Sequence, residues 1–320
     1  MKVLYLCDRD YYLTKMSRVR FHSMRAIENI TDFKWSGPNW DGYDNNLTVQ
    51  ENINNIYPGE KPDVVVGYKP LDMKGFADIE QNKCIRYNEM YDHNWTLKEI
   101  YETRPNLIIC HHQNDMMEYL EYFKENSLDF KCELVNIPHC AEKNIYYDQN
   151  KERPYDILLV GALGVQTMLG QHYPLRNRMY GLIQKMKGKY NCGVVGHPGG
   201  EHADAHTDRY AKEFANVLNL TKIAVTCSGA PNSRYGKYVE VPMCGTAIAA
   251  DIPGEDSGRF ANFVIEINMD MSDQEIIDKL SYFLDNERER KMKVQIGKAW
   301  SQQYTQENYA SRFVEALERL

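Results

Sequence analysis

Long apolar runs are missing from this 320-residue chain: none approaches the roughly 18 residues that a helical membrane span requires. The opening residues, MKVLYLCDRD, carry too short an apolar segment for a secretory signal. Both features predict a soluble, cytoplasmic protein with no transmembrane segment. Positive charge is in short supply as well, with 38 Lys and Arg against 45 Asp and Glu and a formal charge of −7. Broad nucleic-acid binding rests on clustered cations that neutralise phosphates, so the balance argues against a nucleic-acid partner while leaving room for a local basic pocket. The eight cysteines (7, 84, 110, 132, 140, 192, 227 and 244) form no CxxC pair, and several fall in apolar runs, as reduced, buried thiols do. Two phosphate-binding loops are also absent. No GxxxxGK[ST] occurs, and GALGVQTMLG, which follows an apolar run at 156–161, is not GxGxxG.

What the chain does have is alternation. Short runs rich in Val, Ile and Leu predict strands at 2–7, 63–68, 84–88, 107–110 and 133–138, and again at 156–161, 192–196, 222–227, 246–250 and 263–267. Helical patterns separate them. Apolar strands covered by helices on both faces give parallel sheets, hence an α/β fold with two doubly wound, Rossmann-like domains. The polar, proline-broken stretch YYDQNKERPYD (146–156) is the best linker, which divides the chain into 1–150 and 151–300. In the last segment, 301–320, Tyr309, Phe313, Ala316, Leu317 and Leu320 make one apolar stripe that must pack on another element.

With the usual phosphate loops absent, an anion needs backbone amides at a helix start. The stretch CSGAPNSRYGKYVEVPMCG (227–245) offers one: a strand end, a turn-forming loop, then a helix ended near Pro242 and Gly245. Asn232 or Ser233 is the expected N-cap. On a helix starting there, Ser233, Lys237, Glu240 and Cys244 share a face, with Arg234 beside Lys237. Cations near the helix start suit a pyrophosphate, and Glu240 lies far enough along to accept from the vicinal hydroxyls of a sugar. The same spacing also describes an ordinary exposed i,i+3 ion pair.

KYVEVPMCGTAIAADIPG (237–254) resembles the donor segment of GT-B glycosyltransferases, in which a Glu precedes a small-residue Ala-Cys-Gly-like turn and a strand. YDILLVGAL (155–163), YPLRNRM (173–179), LNLTKIAVTCS (218–228) and VNIPHCAEKNIYY (135–147) are similar to family-1-type and spore-maturation-type glycosyltransferases. GPNWDGYDN (37–45) and KPDVVVGYKP (61–70) resemble segments of the same group more loosely. The resemblance implies two Rossmann-like domains facing a cleft, the C-terminal one holding a nucleotide-sugar and the N-terminal one the acceptor, with the last helix crossing back to the first domain. It implies that Glu240 binds the donor ribose, that Asn232, Ser233 and Arg234 face the diphosphate, and that Lys237 matches the basic residue before the Glu. Gly245 closes that segment, and Arg176 and Arg178 are candidates for a phosphate clamp. Many retaining members carry a second Glu eight positions earlier; here that position is Asn232, which leaves the sugar contact and the stereochemical outcome open.

The implied activity is metal-independent glycosyl transfer from a nucleotide-sugar, UDP- or GDP-linked in most of the family, to a hydroxyl of a glycan, protein, lipid-linked sugar or small molecule. Helix-end amides with Arg and Lys would stabilise the leaving diphosphate, so no cofactor is required beyond the donor. Inversion adds a need for a base. Reading strand ends in the first half ranks Asp8, His111 and His112 first, ahead of Lys69, Glu89, Asp92 and His139. His197, His202 and His206 in GHPGGEHADAH lack a fixed third ligand and are expected in a loop rather than on a metal. Two competing readings stand beside transfer: a nucleotide-sugar 2-epimerase on the same scaffold, and a non-catalytic nucleotide-sugar-binding protein.

Overall fold

Strands that are apolar on both faces should sit inside parallel sheets, and this is what the computed structural model contains. It describes residues 1–15, 18–196 and 208–320, in two units that are each built on one sheet. Met1–Pro138 together with Gln306–Leu320 form the first. Its six strands are β1 (Lys2–Leu6), β2 (Asp32–Ser36), β3 (Val64–Gly67), β4 (Asn82–Arg86), β5 (Leu107–Cys110) and β6 (Glu133–Asn136). They lie in the order β2-β1-β3-β4-β5-β6, every pair parallel. Four of the five crossovers run through α1 (Arg18–Glu28), α2 (Val49–Ile56), α3 (His93–Thr103) and α4 (Gln113–Asn126), and the one from β3 to β4 through two short 3-10 turns. The chain starts at β1 and winds outward in both directions, so β1 and β3 flank a topological switch point.

β2 is an edge strand that the apolar pattern did not mark. Its sequence DFKWS alternates, and only Ser36 is fully buried. Phe33 and Trp35 nonetheless pack edge-on, at 5.2 Å between ring centroids.

The second unit, from His139 to Thr305, contains the polar stretch at 146–156. Its strands are β7 (Tyr155–Val160), β10 (Cys192–Val195), β11 (Thr221–Val225), β12 (Ala247–Ala250) and β13 (Ile265–Glu266), in the parallel order β10-β7-β11-β12-β13. A small hairpin of β8 (Gln166–Thr167) and β9 (Gly170–Gln171) follows β7. The helices are α5 (Pro174–Met186), α6 (Arg209–Asn219), α7 (Lys237–Met243), α8 (Ser257–Phe263), α9 (Asp273–Asp285) and α10 (Glu287–Ser301). α9 opens with a reciprocal cap: the Ser272 side chain accepts from the Glu275 amide while Glu275 accepts from the Ser272 amide. One face of the sheet is covered by a cluster containing Tyr238, Phe260, Phe263 and Trp300, the other by Leu175, Met179, Ile183 and Leu280. Again the first strand, β7, has neighbours on both sides, and β7 and β11 flank the switch point.

The last helix, α11 (Gln306–Leu317), belongs to the first unit and packs on α1. Its stripe of Tyr309, Ala310, Phe313, Ala316 and Leu317 is buried, each large side chain being worth about 2 kcal/mol in apolar area removed from water. No described helix is long and apolar enough to cross a membrane.

Candidate functional site

In the second unit the crevice beyond the carboxyl ends of β7 and β11 is furnished by one arginine. Pro174 sets the first position of α5, which brings Arg176 into its first turn. Arg176 is buried; Nη1 donates to the Ala162 carbonyl at 3.1 Å and Nε to the Cys227 sulfur at 3.3 Å. Its guanidinium lies 3.4 Å from the centre of the Tyr173 ring. Ala162 follows β7 and Cys227 follows β11, so Arg176 spans the switch point. Gly161 makes the room: its φ is +119°, and a Cβ there would stand 2.2 Å from Nη1 of Arg176.

The loop after β11 is fastened to the end of β12. Asp251 accepts from the Ser228 amide at 2.7 Å and its hydroxyl at 2.6 Å, and Tyr238 donates its hydroxyl to the Asp251 carbonyl at 2.7 Å. Here the structure corrects the expected helix start. α7 begins at Lys237 with Gly236 as a cap lacking any side-chain bond, so Ser233 is not on the helix face and neither it nor Asn232 is the N-cap. Asn232 sits in the left-handed region, φ 53°, and its Oδ1 accepts from the Gly254 amide at 3.0 Å. The amides expected to face a diphosphate are taken up internally. Asn232 N–H donates to Gly229 O at 3.0 Å, Ser233 N–H to Ser228 O at 3.2 Å, and Arg234 N–H to Glu255 Oε2 at 3.4 Å. Ser233 itself is buried, its hydroxyl on the Pro231 carbonyl at 3.2 Å.

α7 brings Lys237 and Glu240 together. Nζ lies 3.7 Å from Oε2, but this is no solvated surface pair: the side chains are 11% and 2% exposed. Glu240 Oε2 has no hydrogen-bond partner. A carboxylate oxygen out of water and without a donor costs a few kcal/mol until something donates to it. Among the described residues of this unit, the buried Glu240 is thus a carboxylate with an unmet demand.

Three other expected residues hold the fold. Arg234 is buried, its guanidinium 4.1 Å from the Tyr304 ring centre and donating to the His139 carbonyl at 3.3 Å; burial pulls its pKa down, against Tyr304 and Glu255. Arg178 is taken away from the crevice, bonded to Asp273 at 2.9 Å and to the carbonyls of Met269 and Met271 at 3.1 and 2.6 Å. Gly245 follows the C-cap of α7 with φ +65°, and a Cβ would meet Asp148 at 2.6 Å. His197, His202 and His206 lie outside the described residues.

In the first unit, Asp8 follows β1 and lines a cavity of about 530 Å³ with Asn39, Tyr68, Lys69 and Asp72. Its carboxylate accepts from the Tyr11 amide at 2.6 Å and from Asn39 Nδ2 at 2.8 Å. His111 is used otherwise. Arg86 Nη2 lies 2.9 Å from its Nε2 and the Ile137 carbonyl 3.0 Å from its Nδ1. An arginine only donates, so Nε2 accepts and Nδ1 carries the proton, and both ring nitrogens are engaged within the fold. Arg86, fully buried, also donates to Tyr309 of α11 at 3.0 Å and Ser23 of α1 at 3.2 Å. His112 is the buried N-cap residue of α4 and does not line the cavity.

A smaller cavity of about 260 Å³ adjoins, sharing Tyr11, Tyr68 and Lys69, and it contains a residue that strand-end reading missed. Glu99 of α3 has no exposed surface, and burial pushes its carboxyl up to about 7, with Lys69 pulling it down and Asp72 pushing it up. The Tyr87 hydroxyl and Leu71 amide lie beside it, yet neither Glu99 oxygen meets hydrogen-bond geometry.

No family model and no curated protein matches this sequence. Solved structures do resemble it in fold. An α-glucosyltransferase solved with UDP-glucose and abasic-site DNA shares 8% identity at a TM-score of 0.64, over 99% of each chain. Anabaena HepE, solved with UDP and glucose, shares 10% identity at 0.63 over the whole of both chains. A protein assigned as a UDP-N-acetylglucosamine 2-epimerase from Listeria monocytogenes shares 13% identity at 0.55, over 99% of this chain and 95% of its own. At such identities the likeness is one of architecture, and the chain has the GT-B-type fold: two Rossmann-like units, each a parallel sheet wound both ways from its first strand.

Proposed function

We propose that this protein is a glycosyltransferase that moves a sugar from a nucleotide-diphosphate donor, UDP-linked by preference, to an acceptor hydroxyl. The observation that carries this reading is Glu240: a buried carboxylate with an oxygen lacking a hydrogen-bond donor, one turn from Lys237. The vicinal hydroxyls of a donor ribose supply what that oxygen lacks. Arg176 at the switch point, with Lys237, provides positive charge for the diphosphate. That the α-glucosyltransferase and HepE of like fold were solved with UDP-glucose and with UDP is the supporting comparison.

In the reaction the acceptor oxygen bonds to the anomeric carbon, the bond from that carbon to the diphosphate oxygen breaks, and the nucleotide leaves with the electron pair. Arg176 and Lys237 offset the charge that develops on it. In an inverting reaction the acceptor proton passes to Asp8, a first-ranked candidate that lines the larger of the two described cavities. We read the transfer as metal-independent, and turnover that persists in EDTA is the corresponding expectation.

The test is calorimetric titration of UDP and GDP, with a thermal-shift series alongside. A nucleotide at a hundred times its dissociation constant raises stability by about 2.7 kcal/mol. Glu240→Ala is expected to weaken UDP binding about 10- to 100-fold, the usual worth of hydrogen bonds to a charged group. Unchanged affinity in that variant removes the reading. A 2-epimerase is the second reading, on the fold shared with the Listeria protein; interconversion of a UDP-sugar incubated alone, followed by NMR, would select it. Tight UDP binding with no turnover of any UDP-sugar would select a non-catalytic binding protein.

A further inference from the structure

The paired cavities of the first unit open at its own switch point, beyond the carboxyl ends of β1, β2, β3 and β4. Their lining has three chemical features that agree. The first is charge. Among the described residues, Asp8, Asp10, Asp72, Glu89, Asp92 and Glu99 contribute six carboxyl groups, against Lys69 and Arg86. Arg86 is engaged with Tyr309, Ser23 and His111, and Lys69 leans on Tyr11, its Nζ 3.3 Å from the hydroxyl and 4.5 Å from the ring centre. Such a surface repels phosphates and sulfates.

The second is aromatic surface. Tyr11 and Tyr68 stack at 6.2 Å, and Trp95, 36% exposed, lines the smaller cavity. Aromatic faces take the C–H face of a pyranose, which ions and phosphates do not offer. The third is the pair of unmet groups at the inner wall. Glu99 is wholly buried with the Tyr87 hydroxyl and the Leu71 amide beside it, yet none of these contacts reaches full hydrogen-bond geometry. They ask for a ligand that donates and accepts through hydroxyls. A metal ion does not answer the description, because among the described residues no three His, Cys, Asp or Glu are placed to hold one.

We infer that this double cavity binds an uncharged or amino-bearing saccharide, with Glu99 and Tyr87 meeting its hydroxyls and Tyr11, Tyr68 and Trp95 meeting its apolar face. If the transferase reading above holds, on which this assignment to a reaction rests, that saccharide is the acceptor. Nucleic acids and phosphorylated acceptors are then excluded, although one enzyme of like fold was solved with DNA.

The experiment is saturation-transfer-difference NMR and calorimetry on the full chain with methyl glucoside, N-acetylglucosamine, glucosamine, glucose 6-phosphate and a short DNA duplex. A neutral or amino sugar is expected to bind at least tenfold more tightly than glucose 6-phosphate. Trp95→Ala, at an exposed position of α3, should weaken that binding about tenfold with UDP affinity unchanged, and Glu99→Gln should weaken it with Trp95 intact. Tighter binding of the phosphorylated sugar or DNA overturns the inference. So does sugar binding that ignores both variants, or no saccharide bound at millimolar concentration. Because UDP is titrated separately, loss of UDP binding with sugar binding kept would strike the transferase reading alone, and the converse would strike this one alone.

Discussion

The two sheets share a winding pattern but finish in opposite ways at their carboxyl ends. Beyond β7 and β11 the switch point is filled by a buried arginine stacked on Tyr173, with Lys237 and Glu240 close-packed in the second unit. Beyond β1 and β3 the corresponding place is hollow, acidic and ringed by tyrosines. One topology thus yields two environments, decided by which residues follow each strand. A glycine after β7 lets a cation reach across, whereas Cys7 and Asp8 after β1 leave a carboxylate facing open space. The contrast suits an anionic diphosphate in one unit and a polyhydroxyl ligand in the other.

Several substitutions bear on that contrast. The largest effect is expected from Gly161→Ala. The new Cβ would collide with the Arg176 guanidinium in a backbone region that L-residues avoid, so a loss of about 3–5 kcal/mol in stability and a fall of at least tenfold in UDP affinity are expected. Chemical denaturation and calorimetry measure the two; UDP affinity at the wild-type level would show that Arg176 is not part of the donor site.

Glu99→Gln comes next and is read through pH. Its carboxyl ionises near 7 in the folded protein, against 4.5 in the ordinary case. Between those values the folded state keeps a proton that the unfolded chain has lost, so the stability tied to that proton is complete below about pH 4.5 and lost as pH rises to about 7. Tyr87, Lys69 and Asp72 are the ionisable groups that face it. The Gln variant should therefore gain on the order of 3 kcal/mol on wild type at pH 8 and nothing at pH 4. Parallel stability curves across that range would refute a buried, reluctant carboxylate. Arg178→Ala is the mildest, costing about 1 kcal/mol through Asp273 and leaving UDP binding intact; a drop in affinity would return Arg178 to the phosphate clamp.

The sequence made the sheets legible because buried parallel strands are written as local apolar runs. β2 escaped because an edge strand alternates, and DFKWS is half polar. Glu240 stood out as a candidate because its neighbourhood resembles a known donor segment, but the start of α7 was not legible. The hydrogen bonds that take up the amides of Asn232, Ser233 and Arg234 depend on loop geometry and on Glu255, which spacing does not reveal. The contacts of His111 were hidden for a similar reason: its position at a strand end is local information, while Arg86 arrives from another strand. Glu99 did leave a trace. Thr96, Glu99, Ile100 and Thr103 are the buried residues of α3, at steps of three, one and three, so the glutamate shares the inner stripe with an isoleucine.

The return of α11 to the first unit has a consequence for synthesis. Residues from His139 to Thr305 are made as a block before Gln306–Leu317 exist, so the second unit has its whole sheet and helices while the first still lacks the helix that covers α1 and holds Arg86. Domains ordinarily mature in the order in which they leave the ribosome. Here the topology runs against that order: the N-terminal strands are made first, and the helix that completes their unit is made after the whole of the second.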